Sequence, residues 1–281
     1  MNRRQFLGQA AGTAMAAVLP SKASAGEGDS FCFAVVADPH CSDGITEGLE
    51  AYGSGVDRFL NTIKTMEAMS EREKPSFILL AGDVHPEALR PRMVEATIPV
   101  HATPGNHEST REKRALLRSL FPGDFTLNRK PADYYSFVHK GARFIAVCDA
   151  GAGGDHVGHL CSEIIEPPGQ CEWLEGELRK PEPVKIVFAH IPAEREGRDR
   201  DMYLNRNDSR WFNALVKETQ PVAVFFGHLH RPTSSYRTGR SQIFHVRSCC
   251  WNFDKAPVGF LHCRVKEGKL ETREIITGEY K

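Results

Sequence analysis

The chain has 281 residues, with 36 basic and 36 acidic side chains and 41% apolar residues. That length is enough to bury a large α/β core in one domain. The balanced charge excludes a global basic field for a nucleic-acid polymer or an anionic membrane, leaving only local patches open.

The first element in chain order is a leader. Asn2-Arg3-Arg4-Gln5-Phe6-Leu7 precedes a mildly apolar stretch from Gly8 to Leu19, and Ala23-Ser24-Ala25 offers small residues for cleavage. Residues 1–25 therefore read as an export signal outside the fold, and residues 26–281 as a single domain. The apolar stretch is shorter than the about twenty predominantly apolar residues a bilayer span needs, so no stable membrane anchor is expected after cleavage. Arg-Arg-x-Phe-Leu before a weak apolar segment resembles the bacterial twin-arginine signal; an ordinary secretory leader and a retained anchor are the alternatives. The expectation is a periplasmic or secreted protein handled by the twin-arginine export machinery.

The mature region alternates short β-branched runs with longer segments of helical period, the pattern of an α/β fold with both strand faces covered. Strands are expected at Phe31 to Ala37, Phe77 to Ala81, Ile98 to Ala102, Phe144 to Cys148, Val184 to Ala189 and Val222 to Phe226. Helices are expected at about Val56 to Ser70, Arg111 to Leu120, Gln170 to Leu178 and Ser209 to Lys217. Beyond His230, the alternating segments Ser234 to Arg237, Gln242 to Arg247, Val258 to Val265 and Leu270 to Ile275 read as antiparallel strands closing the sheet.

Eight cysteines in an oxidising compartment make disulfides an expectation. Cys161 and Cys171 flank Pro167, Pro168 and Gly169 and form the first candidate pair. Cys32, Cys148 and Cys263 lie in apolar runs, where a buried free thiol is the equal alternative. No Cys-x-x-Cys spacing occurs, which argues against a thiolate zinc site.

Five of the apolar runs end alike: in Asp38-Pro39-His40, Gly82-Asp83, Gly105-Asn106-His107-Glu108, His190, and Gly227-His228-Leu229-His230. Ligands of open α/β sheets gather beyond the carboxyl ends of the strands, so these distant groups are expected to share one crevice. Asp, Asn and His offer oxygen and nitrogen donors, which suit divalent manganese, iron or zinc. Two ligating carboxylates cannot neutralise two such cations, which leaves positive charge for a phosphate. Gly82, Gly105 and Gly227 each precede one of these polar residues, where close main-chain approach excludes a side chain.

Taken in order, these blocks resemble the calcineurin-like metallophosphoesterase family over nearly the whole mature chain. The resemblance implies a four-layer α/β/β/α sandwich with a dinuclear metal site at the strand C-terminal ends. Asp38, His40 and His230 would hold one metal, Asn106, His190 and His228 the other, and Asp83 would bridge both. His107 would stabilise the transition state or protonate the leaving oxygen, assisted by Asp38, while a hydroxide activated by the two metals attacks the ester. Purple acid phosphatases carry a tyrosine ligand three residues after the bridging aspartate. Pro86 stands there, which argues against a tyrosinate-iron site.

Other residues keep simpler readings. His85 is expected at the rim, with an extra ligand as the alternative. His101, His139, His245 and His262 are expected to pack or hydrogen-bond within strands. His156 and His159 lie in or beside the Gly-rich stretch from Gly151 to Gly158, a loop that could alternatively cover substrate. The charged segment from Glu194 to Arg210 reads as solvated, with an arginine on the substrate phosphate as the alternative. Cys249-Cys250-Trp251 either packs or lines the pocket. The expected activity is hydrolysis of a small phosphomonoester or phosphodiester, nucleotides and cyclic nucleotides included. A non-catalytic exported metal- or phosphoryl-binding protein on the same fold is the alternative.

Overall fold

The structure, a computed structural model, describes residues 30–42, 44–150, 154–198 and 200–281. The expected leader of residues 1–25 lies outside the described residues, as do Gly151 to Gly153. The strands are β1 (Phe31–Ala37), β2 (Ile78–Ala81), β3 (Val100–Thr103), β4 (Thr126–Leu127), β5 (Lys130–Pro131), β6 (Tyr135–His139) and β7 (Ala142–Ala146). They continue with β8 (Val184–Phe188), β9 (Ala223–Phe226), β10 (Ser234–Thr238), β11 (Ser241–His245), β12 (Val258–Lys266) and β13 (Lys269–Gly278). The α-helices are α1 (Gly55–Glu67), α2 (Pro86–Leu89), α3 (Arg111–Leu120), α4 (Gln170–Leu178) and α5 (Arg206–Thr219).

Two sheets stack face to face, one ordered β13-β12-β1-β2-β3 and the other β10-β11-β9-β8-β7-β6. β1, β2 and β3 run parallel, as do β7, β8 and β9, so each sheet brings parallel strand ends to the site. β1 is buried along its whole length, as a strand covered on both faces requires. Between the sheets Phe33 meets Phe144 edge-on at 5.3 Å and Phe225 at 6.2 Å. Ile145, Val187 and Val224 point the other way and pack with Leu174 and Leu178 of α4 and Phe212 and Leu215 of α5. On the opposite flank α1 buries Val56, Phe59, Leu60, Ile63 and Met66 at helical spacing. Its first turn is closed by Ser54 and Asp57 in a capping box. The result is the expected α/β/β/α layering.

Three expectations shift. β3 and β7 each sit about two residues from the apolar runs, because the ladder register with their neighbours sets where the strands stop. The edge strand β6 was not among the expected spans, although His139 was expected within a strand: Ser136 and His139 interrupt its apolar pattern, and the turn at Lys140 and Gly141 pairs it with β7. The four late strands do not close one sheet. β12 and β13 extend the first sheet antiparallel, whereas β11, paired antiparallel with β10, joins the second sheet parallel to β9.

Cys161 and Cys171 form a disulfide, and Cys32, Cys148 and Cys263 are buried free thiols. Among the described residues no helix is long and apolar enough to cross a membrane. His101 and His262 are held as expected, by Asp124 Oδ1 at 2.8 Å and by the Glu73 carbonyl at 2.6 Å.

His245 has no such partner for Nε2; it lies among Tyr203, Phe226 and Tyr236. Burial pushes its pKa from 6.5 to about 4. The unfolded imidazole takes up a proton near pH 6.5, and the folded one resists until about 4. Its neutral form therefore favours folding above that window, and the advantage is lost as pH falls through it, at most about 3 kcal/mol. Thermal melts at neutral pH and near pH 5 should show a smaller acid loss for His245→Phe than for wild type. Equal losses would show that this imidazole is not the acid-sensitive group.

Candidate metal centre

The polar groups sit where the strands stop. Asp38 and His40 follow β1, Asp83 follows β2, Asn106 and His107 follow β3, His190 follows β8, and His228 and His230 follow β9. Asp38, His40, Asp83, His228 and His230 all have left-handed backbone, with φ of 48°, 37°, 53°, 70° and 48°. Each such residue costs of order 1–3 kcal/mol and persists only where its surroundings over-determine it. These sharp reversals turn the side chains back over the strand ends. Gly82 has φ of 78°, and a Cβ there would overlap the His190 ring; a Cβ at Gly105 would overlap Asp83. The same close approach holds at Gly227.

All seven residues named as metal ligands meet in one cluster. His40 Nε2 lies 3.0 Å from His230 Nε2 and 3.5 Å from Asp83 Oδ2. His190 Nε2 lies 3.0 Å from Asn106 Oδ1, 3.1 Å from His228 Nδ1 and 3.3 Å from Asp83 Oδ2. Asp38 Oδ1 is 3.6 Å from His190 Nδ1 and 3.7 Å from His230 Nε2, and both its oxygens accept from the His228 N–H. Two of the groups with the spacing to hold a cation are Asp38 with His40, Asp83 and His230, and Asp83 with His190 and His228. Asp83 belongs to both.

Three rings are oriented from behind by main-chain carbonyls. His190 Nδ1 donates to Ala81 at 2.9 Å, His228 Nε2 to His156 at 3.2 Å, and His230 Nδ1 to Trp251 at 2.7 Å. A carbonyl only accepts, so the outer nitrogen keeps its proton and the inner one presents a lone pair. His190 Nε2 then faces His228 Nδ1 and Asn106 Oδ1 as acceptor against acceptor. Such contacts need a positive charge between them.

The electrostatics agree. Burial lowers the pKa values of His40, His228 and His230 to about 3, 2 and 4, so they remain neutral donors to a metal. For His190 burial is outweighed by Asp83, Asp38 and Asp149, and its pKa rises to about 10. Burial works to raise Asp83 too, but His190 and then His40 and His107 hold it well below the usual carboxylate range. Burial pushes Asp38 up to about 8. The cluster thus draws a positive charge to its centre, a demand that nitrogen and oxygen donors meet with divalent cations. The residues fit such ions.

His107 stands at the mouth with its side chain 40% exposed, Nε2 being 3.9 Å from Asp83 Oδ2 and its backbone N–H donating to Asp83 Oδ1 at 3.1 Å. His85, expected at the rim, is half-buried at the edge of the cluster with its Nε2 3.1 Å from His40 Nδ1. His156 joins through its carbonyl, whereas His159 pairs with Asn205. Arg195 and Arg200 lie over Tyr236 and Tyr203 at 5.2 and 4.8 Å. Cys249 and Cys250 pack, while Trp251 stacks on His230 at 3.8 Å.

Two buried carboxyls have a place at the site that the sequence did not assign them. Asp149 accepts from the N–H groups of His190 and Ile191, and Glu108 from those of His85 and Gly105. Burial pushes both to about 7. The signal for Asp149 was present, since the apolar run through Cys148 ends in an aspartate like the others.

Stacked mixed sheets with an Asp/His cluster at parallel strand ends define a metallophosphoesterase fold. The chain belongs to the calcineurin-like phosphoesterase family, whose model matches residues 32–232. Comparison with curated protein sequences finds no match. Among solved structures, a dimetal phosphatase from Danio rerio is 16% identical with a TM-score of 0.62, covering 89% of this chain and 97% of that one. GAP50, described as the anchor in the inner membrane complex of Plasmodium, is 14% identical with a TM-score of 0.55, covering 90% of this chain and 86% of its own. At these identities the likeness concerns the fold.

Because Asp83 is common to both groups, Asp83→Asn should depress uptake of both ions after equilibration with Mn²⁺. His228→Ala should keep one. Elemental analysis distinguishes them, and a full metal complement in Asp83→Asn would contradict the shared position.

Proposed function

We propose that this protein is an exported two-metal phosphoesterase hydrolysing small phosphomonoesters or phosphodiesters. The observation that carries the reading is the set of inward-facing acceptors gathered around Asp83. Asp38, His40 and His230 would hold one ion, and Asn106, His190 and His228 the other, with Asp83 between them. When bound, such ions acidify water towards neutral pH and offset charge on phosphoryl oxygens. Manganese, iron and zinc all suit the donors.

The chain's own contribution to turnover centres on His107. Its ring is accessible and its backbone is pinned to Asp83, so it is held beside the ions without being enclosed among their donors. It delivers a proton to the departing oxygen or hydrogen-bonds the developing charge there. Asp38 is fully buried and aids catalysis by fixing the cluster through the His228 N–H. The neutral net charge favours small substrates over nucleic-acid polymers.

The second reading is a non-catalytic metal- or phosphoryl-binding protein, kept because GAP50 shares the fold and is described as an anchor. Turnover of 4-nitrophenyl phosphate, its bis ester and cyclic AMP by the Mn²⁺-loaded mature protein separates monoesterase, diesterase and cyclic-nucleotide activity. His107→Ala should lose roughly 10²–10⁴-fold in rate with its metal content intact. No turnover of any ester with manganese, iron or zinc would leave only the binder.

Export is supported by the Arg3-Arg4-x-Phe6-Leu7 leader and by the Cys161–Cys171 disulfide, which suits an oxidising compartment. Replacing Arg3 and Arg4 together by lysine should strand the precursor in the cytoplasm. Unchanged export of that variant would point to an ordinary secretory leader.

A further inference from the structure

Among the ring-oriented histidines of the cluster, His40 is held differently. Its inner Nε2 faces His230 and Asp83, but its outer Nδ1 meets His85 Nε2 at 3.1 Å where the other three rings meet a carbonyl. We propose that His85 is a positioning residue that accepts the Nδ1 proton of His40 and so aims His40 Nε2 at the ion it shares with Asp38, Asp83 and His230. This rests on the two-metal reading above. It adds to that reading a residue outside the seven donors.

The loop around His85 is built to hold it there. His85 has left-handed backbone, φ 54° and ψ 67°, and precedes Pro86 at the start of α2. Its N–H donates to Glu108 Oε1 at 2.9 Å, and the other oxygen of this buried carboxyl accepts from the Gly105 N–H at 3.0 Å. The His40 N–H in turn donates to the Asp83 carbonyl at 2.9 Å. The turn that supplies the shared aspartate therefore also supplies the support for His40, and Glu108 ties both to the Asn106 turn. An imidazole can do here what a carbonyl does elsewhere, provided its Nε2 carries no proton and its own proton sits on Nδ1.

His40, His85 and His107 also have the spacing to hold a third cation. That arrangement would require His40 to give up its one ring proton, on Nδ1, and bridge two ions, whereas the hydrogen bond asks it to bind through one nitrogen only. The number of ions decides between them.

The experiment compares wild type, His85→Ala and His85→Gln in full-length mature protein, with Mn²⁺ as the probe. It measures ions per chain by elemental analysis, Mn²⁺ affinity by titration, and folding by thermal melt. Both variants keep an L-residue at the left-handed position, so a loss common to the two reports the backbone. The amide oxygen of Gln can still accept the His40 proton. His85→Ala should hold one ion as wild type does and bind the second about 10–100-fold more weakly, with His85→Gln recovering most of that loss. The proposal is overturned if His85→Ala binds two ions with wild-type affinity, or if His85→Gln is as weak as His85→Ala. It is equally overturned if wild type carries three ions and His85→Ala only two, which would make His85 a ligand. Wild type that takes up no Mn²⁺ overturns it together with the metal centre. Two-ion uptake without hydrolysis of any ester removes the hydrolase reading alone and leaves the role of His85 to be judged by the variants.

Discussion

The structure depends on a demand for positive charge at the carboxyl ends of two stacked sheets. Imidazoles protonated on the outside, a carboxamide oxygen and carboxylates converge in a largely buried space, where lone pairs face one another at about hydrogen-bond distance. Buried acceptors without donors are costly, and burying like charges is costlier still. Divalent cations resolve the conflict at every contact at once. The carboxylates of Asp83, Asp38 and Asp149 raise His190 against burial, whereas burial itself raises Asp38.

The rest of the fold serves to sustain that arrangement. Two mixed sheets with parallel central strands, packed through Phe33, Phe144 and Phe225, give a rigid platform whose strand ends cannot drift apart. On that platform the chain can hold several adjacent residues in left-handed conformation, a strain that an isolated loop would relax. Carbonyls from Ala81, His156 and Trp251 then set which face of each ring looks inward. The orienting groups come from distant segments, so a change far from the cluster can misalign it.

Fold and chemistry separate clearly here. Stacked sheets of this kind do not by themselves imply turnover, since one fold can host unrelated functions. What distinguishes an enzyme is an accessible group beside the ions. His107 is half-exposed beside His40 and His85, whereas the seven cluster residues are mostly sealed. Glu108 and Asp149 border the same region, each accepting two backbone N–H groups, and burial raises both.

By itself the sequence determined the alternation of strands and helices and the strand-end positions of Asp38, His40, Asp83, Asn106, His107, His190, His228 and His230, and it offered Cys161 with Cys171 as a first candidate pair. These are legible because apolar periodicity and glycine-led turns are local properties, and because polar residues after buried strands have one shared place to go. Only the tertiary structure decided that β11 joins the second sheet while β12 and β13 extend the first, that Asp149 and Glu108 border the cluster, and that His85 backs His40. Those facts depend on which backbone N–H and carbonyl groups from remote segments meet. Such partners leave no mark on composition or spacing, since any residue type can supply a main-chain hydrogen bond.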